Sequence, residues 1–298
     1  MSNTEIEQNR IPYIRNRSHN SNSGVRYLSQ LSFKQTGHRR PQPPQGVVVS
    51  EKVPEDYTKI ASNLYWLTSS NPKTIKSLKR GYLTVVMHLA PAFWSGYTTC
   101  VHFSHCWDTC LFVQGRGKMP NVKEARIKKT RRLVEHPENS IEQIAAEICY
   151  LKARLKGPEH PKLCVRLNCL SDFPWEDMSF DCLGKKTIIN AFPDVQFYDY
   201  TKIRIGERSA WLDMPLNYHL TYSFDSRQED ISNCIGVLEL GHNAAITCTK
   251  DHYKSIDYTK IHPWGYQMVD GDLDDMRFLD PKPRLVMGRE KGYSKIAV

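Results

Sequence analysis

The feature that most confines this chain is the alternation of short apolar runs with helix-like ones. Leu83-Thr84-Val85-Val86-Met87-His88-Leu89 is apolar and β-branched, with Gly81 before it and Pro91 and Gly96 after. Such a run has the length of a buried strand. Over residues 162–168, Leu163, Val165 and Leu167 alternate with Cys164, Arg166 and Asn168, the period of a strand. Further strands are expected at 195–200, 218–224, 243–248 and 284–287. Helical patterns fall between them, at 121–135, from Ser140 onward, at 179–191 and at 227–240. Ser140-Ile141-Glu142-Gln143 has the form of a capping box, and Ile141, Ile144, Ala145, Ile148 and Leu151 make one apolar face. Strands that alternate with helices imply parallel pairing, because a parallel connection needs a crossover. About six strands are too few for a complete eight-stranded barrel. The expected fold is therefore α/β, either a partial β/α barrel or an open, mostly parallel sheet.

Polar residues gather where these strands end. Asn168-Cys169-Leu170-Ser171-Asp172 follows the second strand, Asp199-Tyr200-Thr201-Lys202 closes the third, and Ser223 and Asp225 close the fourth. Each alone is an ordinary turn former. In a parallel sheet, however, all carboxyl ends share one edge, and ligands bind there. Asn168, Asp172, Asp199 and Lys202 are the candidate catalytic residues, with Lys202 placed for an anionic group. Ser171, Tyr200 and Ser223 are the candidate contacts for a cofactor.

The first strand leads into Cys100-Val-His-Phe-Ser-His-Cys106-Trp-Asp-Thr-Cys110. Three uses of these cysteines compete: a metal site, free thiols in a packed loop, or a disulfide. The chain has nine cysteines, an odd number, and its polar N-terminus does not read as a secretory signal. A reducing setting is expected, which disfavours disulfides. Three thiolates on an iron–sulfur cluster would leave one iron free for an outside ligand. On zinc, His102 or His105 would complete a closed structural site. The spacing is neither that of a standard ferredoxin nor that of a zinc finger.

The net charge of +9 suggests a polyanionic partner, DNA or RNA. Residues 1–53 read as a disordered basic tail closed by Arg39-Arg40-Pro41-Gln42-Pro43-Pro44, and 54–298 as a single α/β domain. Lys123, Arg126, Lys128, Lys129, Arg131 and Arg132 make the 121–135 helix very basic and are the candidate phosphate contacts. No apolar run approaches the ~20 residues of a membrane span. Tyr198 and Lys202 form a Tyr-x-x-x-Lys pair of the kind found in rolling-circle nucleases, without the paired metal-binding histidines those enzymes need. The acidic stretch Val269–Asp275 is expected to turn at Asp270-Gly271, with a divalent-cation site as the other reading.

One ordered set of motifs carries a resemblance. It comprises Leu89-Ala90-Pro91-Ala92 leading into Cys100, Cys106 and Cys110, then Gly115-Arg116-Gly117, Arg166-Leu167-Asn168 with Ser171-Asp172, and residues 192–202. It continues with residues 217–223, Asp270-Gly271-Asp272, Arg277-Phe278 and Asp280-Pro281. The set resembles a family of bacteriophage proteins related to the gene product 88 family, over about residues 81–292. The resemblance implies a phage or phage-like source and a host bacterial cytoplasm, and it brings no activity with it. Where the family has a glycine after Arg-Leu-Asn this chain has Cys169, an added candidate ligand.

A three-cysteine loop after the first strand of a partial barrel is also similar to radical S-adenosylmethionine enzymes, although their cysteine spacing and glycine-rich edge are absent. That likeness implies an iron–sulfur cluster and S-adenosylmethionine as cofactors. Two functions are thus expected. One is a metal-dependent enzyme, iron–sulfur or zinc, acting at the strand ends on nucleic acid or nucleotides. The other is a replication-associated, nucleic-acid-binding protein with a structural zinc and no catalysis. Oligomeric state is not legible from these residues.

Overall fold

The computed structural model describes Tyr57 and residues 59–69, 72–103, 106, 110–225, 227 and 230–290. The expected basic tail lies outside them. The main sheet has eight strands. In chain order they are β1 (Leu67–Thr68), β2 (Tyr82–Met87), β3 (Lys162–Arg166), β6 (Gln196–Thr201), β7 (Tyr218–Ser223), β8 (Asn243–Cys248), β9 (Met268–Asp270) and β10 (Leu285–Arg289). A separate antiparallel pair, β4 (Ser179–Phe180) and β5 (Lys186–Thr187), lies outside it. The spatial order is β1-β2-β3-β6-β7-β8-β10-β9. β1 is antiparallel to β2, and every other neighbouring pair is parallel.

From β2 to β8 the strands stand in the sheet in the order in which they occur in the chain, and β10 follows. Each connection therefore steps in the same direction, as right-handed crossovers do when they are not reversed. All carboxyl ends of these parallel strands then lie along one edge. The sheet is open, with β1 and β9 as its outer strands.

The helices are α1 (Pro72–Leu78), α2 (Pro120–Glu135), α3 (Pro137–Arg154), α4 (Ile188–Ala191), α5 (Ile231–Glu239) and α6 (Lys250–Ser255). α3 forms because its apolar positions recur every three or four residues, and Ile141, Ile144, Ile148 and Leu151 are all buried. They pack in one cluster with Leu83, Val85 and Met87 of β2, Val165 of β3, Phe197 of β6, Leu220 of β7 and Leu285 of β10. That is one face of the sheet. The alternate residues Tyr82, Cys164 and Tyr198 make a separate cluster with Met276 on the other face.

Two local expectations are corrected. α3 starts at Pro137 rather than at Ser140, because proline is preorganised for the first helical turn. Ser140 lies inside the helix, and its hydroxyl donates to Arg132 O at 3.1 Å instead of capping. Residues 179–191 are not one helix but the β4–β5 hairpin followed by the short α4. Gly184 and Lys185 both take positive φ there (63° and 62°), which no helix tolerates. Among the described residues, no helix is long and apolar enough to cross a membrane.

Candidate functional site

Two groups of side chains meet at the carboxyl edge. The first is a buried polar brace. The Asn168 amide is saturated: its Oδ1 accepts from Ser171 Oγ (3.0 Å), Phe173 N (3.0 Å) and Trp175 Nε1 (3.1 Å), and its Nδ2 donates to Phe173 O (2.7 Å). Asp199 accepts from Asn168 N at 2.6 Å and from Tyr218 Oη at 3.1 Å. Burial lifts its carboxyl to about 7, against these bonds and the pull of Arg166 and Arg208. Asp172 accepts from Lys202 N at 2.8 Å and from Arg208 Nη1 at 3.1 Å. Burial raises its carboxyl as well, while Arg208 pulls the other way.

Arg208 is the hub of this brace. It is buried, donates to Glu176 Oε1 at 2.6 Å and Oε2 at 2.9 Å, and also reaches Tyr218 Oη at 2.9 Å. A buried guanidinium is tolerable only when carboxylates and acceptors surround it in this way. Asp199 shares its side of β6 with Phe197, the helix-covered side, while Tyr198 and Tyr200 point to the other. Asn168, Ser171, Asp172 and Asp199 thus come together, but as a brace that locks the strand tips. Lys202 Nζ donates to Ser223 O (3.0 Å) and Phe224 O (3.2 Å), joining β6 to β7.

The second group is the rim formed by the cysteine loop. That loop is tied to the β3 tip by Asp172 N donating to Thr99 O (2.7 Å) and by Cys100 Sγ donating to Leu170 O (3.1 Å). Burial pushes the Cys100 thiol up to about 12, with smaller contributions from Asp172 and Cys110. Cys110 lies near enough to both Cys106 and Cys169 for their charges to act on it. Thiols from the loop and from the β3 tip therefore share one neighbourhood, an association invisible in the spacing of either segment alone.

Soft thiol donors suit zinc or an iron–sulfur cluster. Among the described residues, no three His, Cys, Asp or Glu side chains stand as a ready metal-holding group. His102, one expected zinc ligand, is instead 2.5 Å from Glu207 Oε2. His105, the other, lies outside the described residues.

Cations complete the rim. Arg126 of α2 acts electrostatically on Cys110 and Cys169, and Arg166 of β3 on Cys169. His88, just past β2, is pushed down to about 3 by burial and by Arg126, Arg166 and Lys129, so it is neutral at ordinary pH. Arg166 lies 4.8 Å from the Tyr200 ring centroid and pairs with Asp275 at 2.7 Å. Each basic residue of α2 has a contact within the chain, although that of Arg126 is a ring and not an anion. Lys123 sits over Trp94, Arg126 over Phe112, and Lys129 and Arg132 over Tyr65. Lys128 pairs with Glu124, and Arg131 Nε donates to Ser95 O.

Two sequence expectations find other uses here. Tyr198 is buried with its phenol 3.4 Å from Asp275, walled off from any phosphodiester. The acidic stretch does not gather around a cation: Asp272 pairs with Arg289, Asp274 with Arg80 and Arg277, and Asp275 with Arg166. The expected turn is present: Asp270 ends β9, Gly271 and Asp272 turn, and Asp270 Oδ1 accepts from Asp272 N at 2.8 Å. A cavity of about 390 Å³ opens at the opposite edge, where β6 and β7 begin, lined by Gln196, His219, His242 and Asp280 among others. Sequence reasoning missed Arg208, Glu176 and His88, and it held Cys169 only as an added ligand.

The profile of the Gene product 88 family matches residues 65–297. No curated protein and no solved structure matches the chain.

Proposed function

The chain belongs to the gene product 88 family, and from its site we propose that it is a metal-dependent enzyme working at the carboxyl edge of the open α/β sheet. The observation that carries this reading is the meeting of thiols from two strand ends, Cys100, Cys106 and Cys110 from the loop with Cys169 beside β3. Such a donor set would hold an iron–sulfur cluster or zinc. The group would supply either electron transfer or a Lewis acid. The chain's own residues do the rest. The Asn168–Asp199–Arg208 brace keeps the β3, β6 and β7 tips rigid. His88 offers a neutral imidazole whose one nitrogen is hydrogen-bonded to the Val86 backbone, which leaves the other as an acceptor. Arg126 and Lys129 give the rim a positive field. S-adenosylmethionine as a further cofactor, and nucleotides or nucleic acid as substrates, belong to the same proposal.

The test is anaerobic purification followed by iron, sulfide and zinc analysis. Bound metal should fall away in Cys100→Ala, Cys106→Ala and Cys110→Ala. Folded, colourless protein free of all three elements would end the reading.

A second reading, nucleic-acid binding, is favoured by Trp94 (37% exposed) and Tyr65 (43% exposed), half-open rings flanked by Lys123, Lys129 and Arg132. Aromatic rings set among cations are the platform on which single-stranded bases stack. Affinity for a single-stranded oligonucleotide should fall steeply with salt and fall further in Trp94→Ala. Binding indifferent to ionic strength would dismiss it.

A further inference from the structure

Resting on the carboxyl edge as the working site, we infer that its ligand carries an oxyanion, a phosphate or a carboxylate, which the Arg126 guanidinium receives. The inference comes from how charge is balanced around the rim. Of the cations that act on His88, Arg166 is paired with Asp275 at 2.7 Å, and Lys129 lies in the field of Glu147. Among the described residues, Arg126 has no carboxylate partner, and the only groups that raise its charge affinity are the thiols of Cys110 and Cys169. Its Nη1 is closed off from solvent and makes no hydrogen bond. Its carbon lies 5.9 Å from the Phe112 ring centroid, which orients the planar fork without neutralising it.

Gly117 makes room for this arrangement. A Cβ there would lie 3.1 Å from Arg126 Nη1 and 2.2 Å from Leu111 O. The chain thus keeps a side-chain-free wall beside a half-buried guanidinium that has no carboxylate partner among the described residues, where the loop and the β3 tip meet. Holding a cation without its counter-ion costs stability, and a ligand anion offsets that cost. The planar fork matches the two oxygens of a carboxylate or phosphate. Lys129, one turn along α2, and Arg166 across Cys169 add to the same field.

The experiment titrates inorganic pyrophosphate and, separately, succinate into the full chain by calorimetry. At least one should bind, and Arg126→Gln should weaken it by about tenfold or more, as for loss of a charge-assisted hydrogen bond. Arg126→Lys should weaken it less. Lys162→Gln, an exposed charge at the opposite edge where β3 begins, should leave it unchanged. Pyrophosphate binding alone identifies a phosphoryl ligand, and succinate binding alone a carboxylate. If neither binds, or if Arg126→Gln binds as wild type does, the inference fails, and the guanidinium serves the thiols instead. If Arg126→Gln does not fold, Arg126→Lys decides: it keeps the charge and loses the fork, so unchanged affinity overturns the assignment. Metal content of the same samples separates the two proposals. Metal-free protein that binds pyrophosphate through Arg126 removes only the metal reading, and metal-loaded protein indifferent to both anions removes only this one.

Discussion

The two faces of the sheet are built from the same strands and are held by different physics. On one face Val85, Val165, Phe197, Leu220 and Leu285 pack against the apolar stripe of α3 and against Trp66, Trp175 and Trp211. On the other, Tyr82, Thr84, Cys164, Arg166 and Tyr198 are covered by the short segment around Met276 and Phe278. Besides the packing of Met276, contact there includes the Arg166–Asp275 ion pair, the Tyr198 phenol on Asp275, the Thr84–Cys164 hydroxyl–thiol contact and two edge-on or tilted ring pairs. Away from the Asp199–Arg208 brace at its carboxyl tips, the first face depends on volume and shape, which tolerate apolar exchange. The second depends on matched partners, which do not tolerate the loss of one member. A face that retains charged and hydroxyl groups in its interior is also the one whose tips carry Arg166 and Tyr200 to the rim.

The sharpest way to break this contrast is Asp275→Ala. It strands Arg166, whose side chain is 14% exposed, and should destabilise the fold by about 3–5 kcal/mol in urea titration. The double change Arg166→Met with Asp275→Leu should recover most of that loss, because an apolar pair removes the uncompensated charge. A small effect of the single change would mean that water reaches the pair and that the second face is wetter than the first. On the apolar face, Leu220→Ala should cost about 3 kcal/mol by the same measurement, from lost transfer energy plus the cavity left behind. Leu220→Ile should cost less than about 1.5 kcal/mol.

Asp199 sharpens the comparison because it is an acid on the apolar side of β6. Its carboxyl is lifted to about 7 from an ordinary value of 3.8, chiefly by burial. A raised acid binds its proton more tightly in the folded state than in the unfolded one. Its contribution to stability is therefore full below about pH 4 and is lost as the pH rises toward 7, with no further loss above that. Unfolding between pH 4 and 8 should show this decline, on the order of 4 kcal/mol for a rise from 3.8 to about 7, and Asp199→Asn should flatten it. A decline that survives in Asp199→Asn would assign it to another carboxyl at the edge.

Much of the fold was legible because alternation leaves a strong mark in long strands. β8 was expected over its observed span, 243–248, and β2, β3, β6 and β7 within a residue or two. β1 has only two residues in the sheet, too few for any period to show. The β4–β5 hairpin passed for a helix because each of its strands has only two residues, too few for alternation to show, although Gly184 marks the turn. At the site, the shared edge of the strand tips followed from parallel pairing. The roles of the residues there did not. Arg208 lies 36 residues from Asp172 and 32 from Glu176, and nothing local announces such a pairing. The side on which Asp199 falls was available from parity with Phe197, but four polar tips in succession invited one crevice where the chain makes a brace and a rim.

The smallest effect is the most exacting test of the second face. Thr84 Oγ1 and Cys164 Sγ lie 3.0 Å apart on neighbouring strands, both buried, and face the segment that carries Met276. Thr84→Val keeps the volume and deletes the hydroxyl, so the packing of β2 on β3 is retained. The expected loss is about 1 kcal/mol, the net value of one neutral hydrogen bond. Cys164→Ala alone mixes that loss with a small cavity, so neither single change isolates the contact. A double-mutant cycle does: a coupling of about 0.5–1 kcal/mol in urea titration would show that the polar pairs on this face hold it together. A coupling of zero would show that the hydroxyl and thiol are only tolerated there, leaving Arg166–Asp275 as the charged pair on which this face depends.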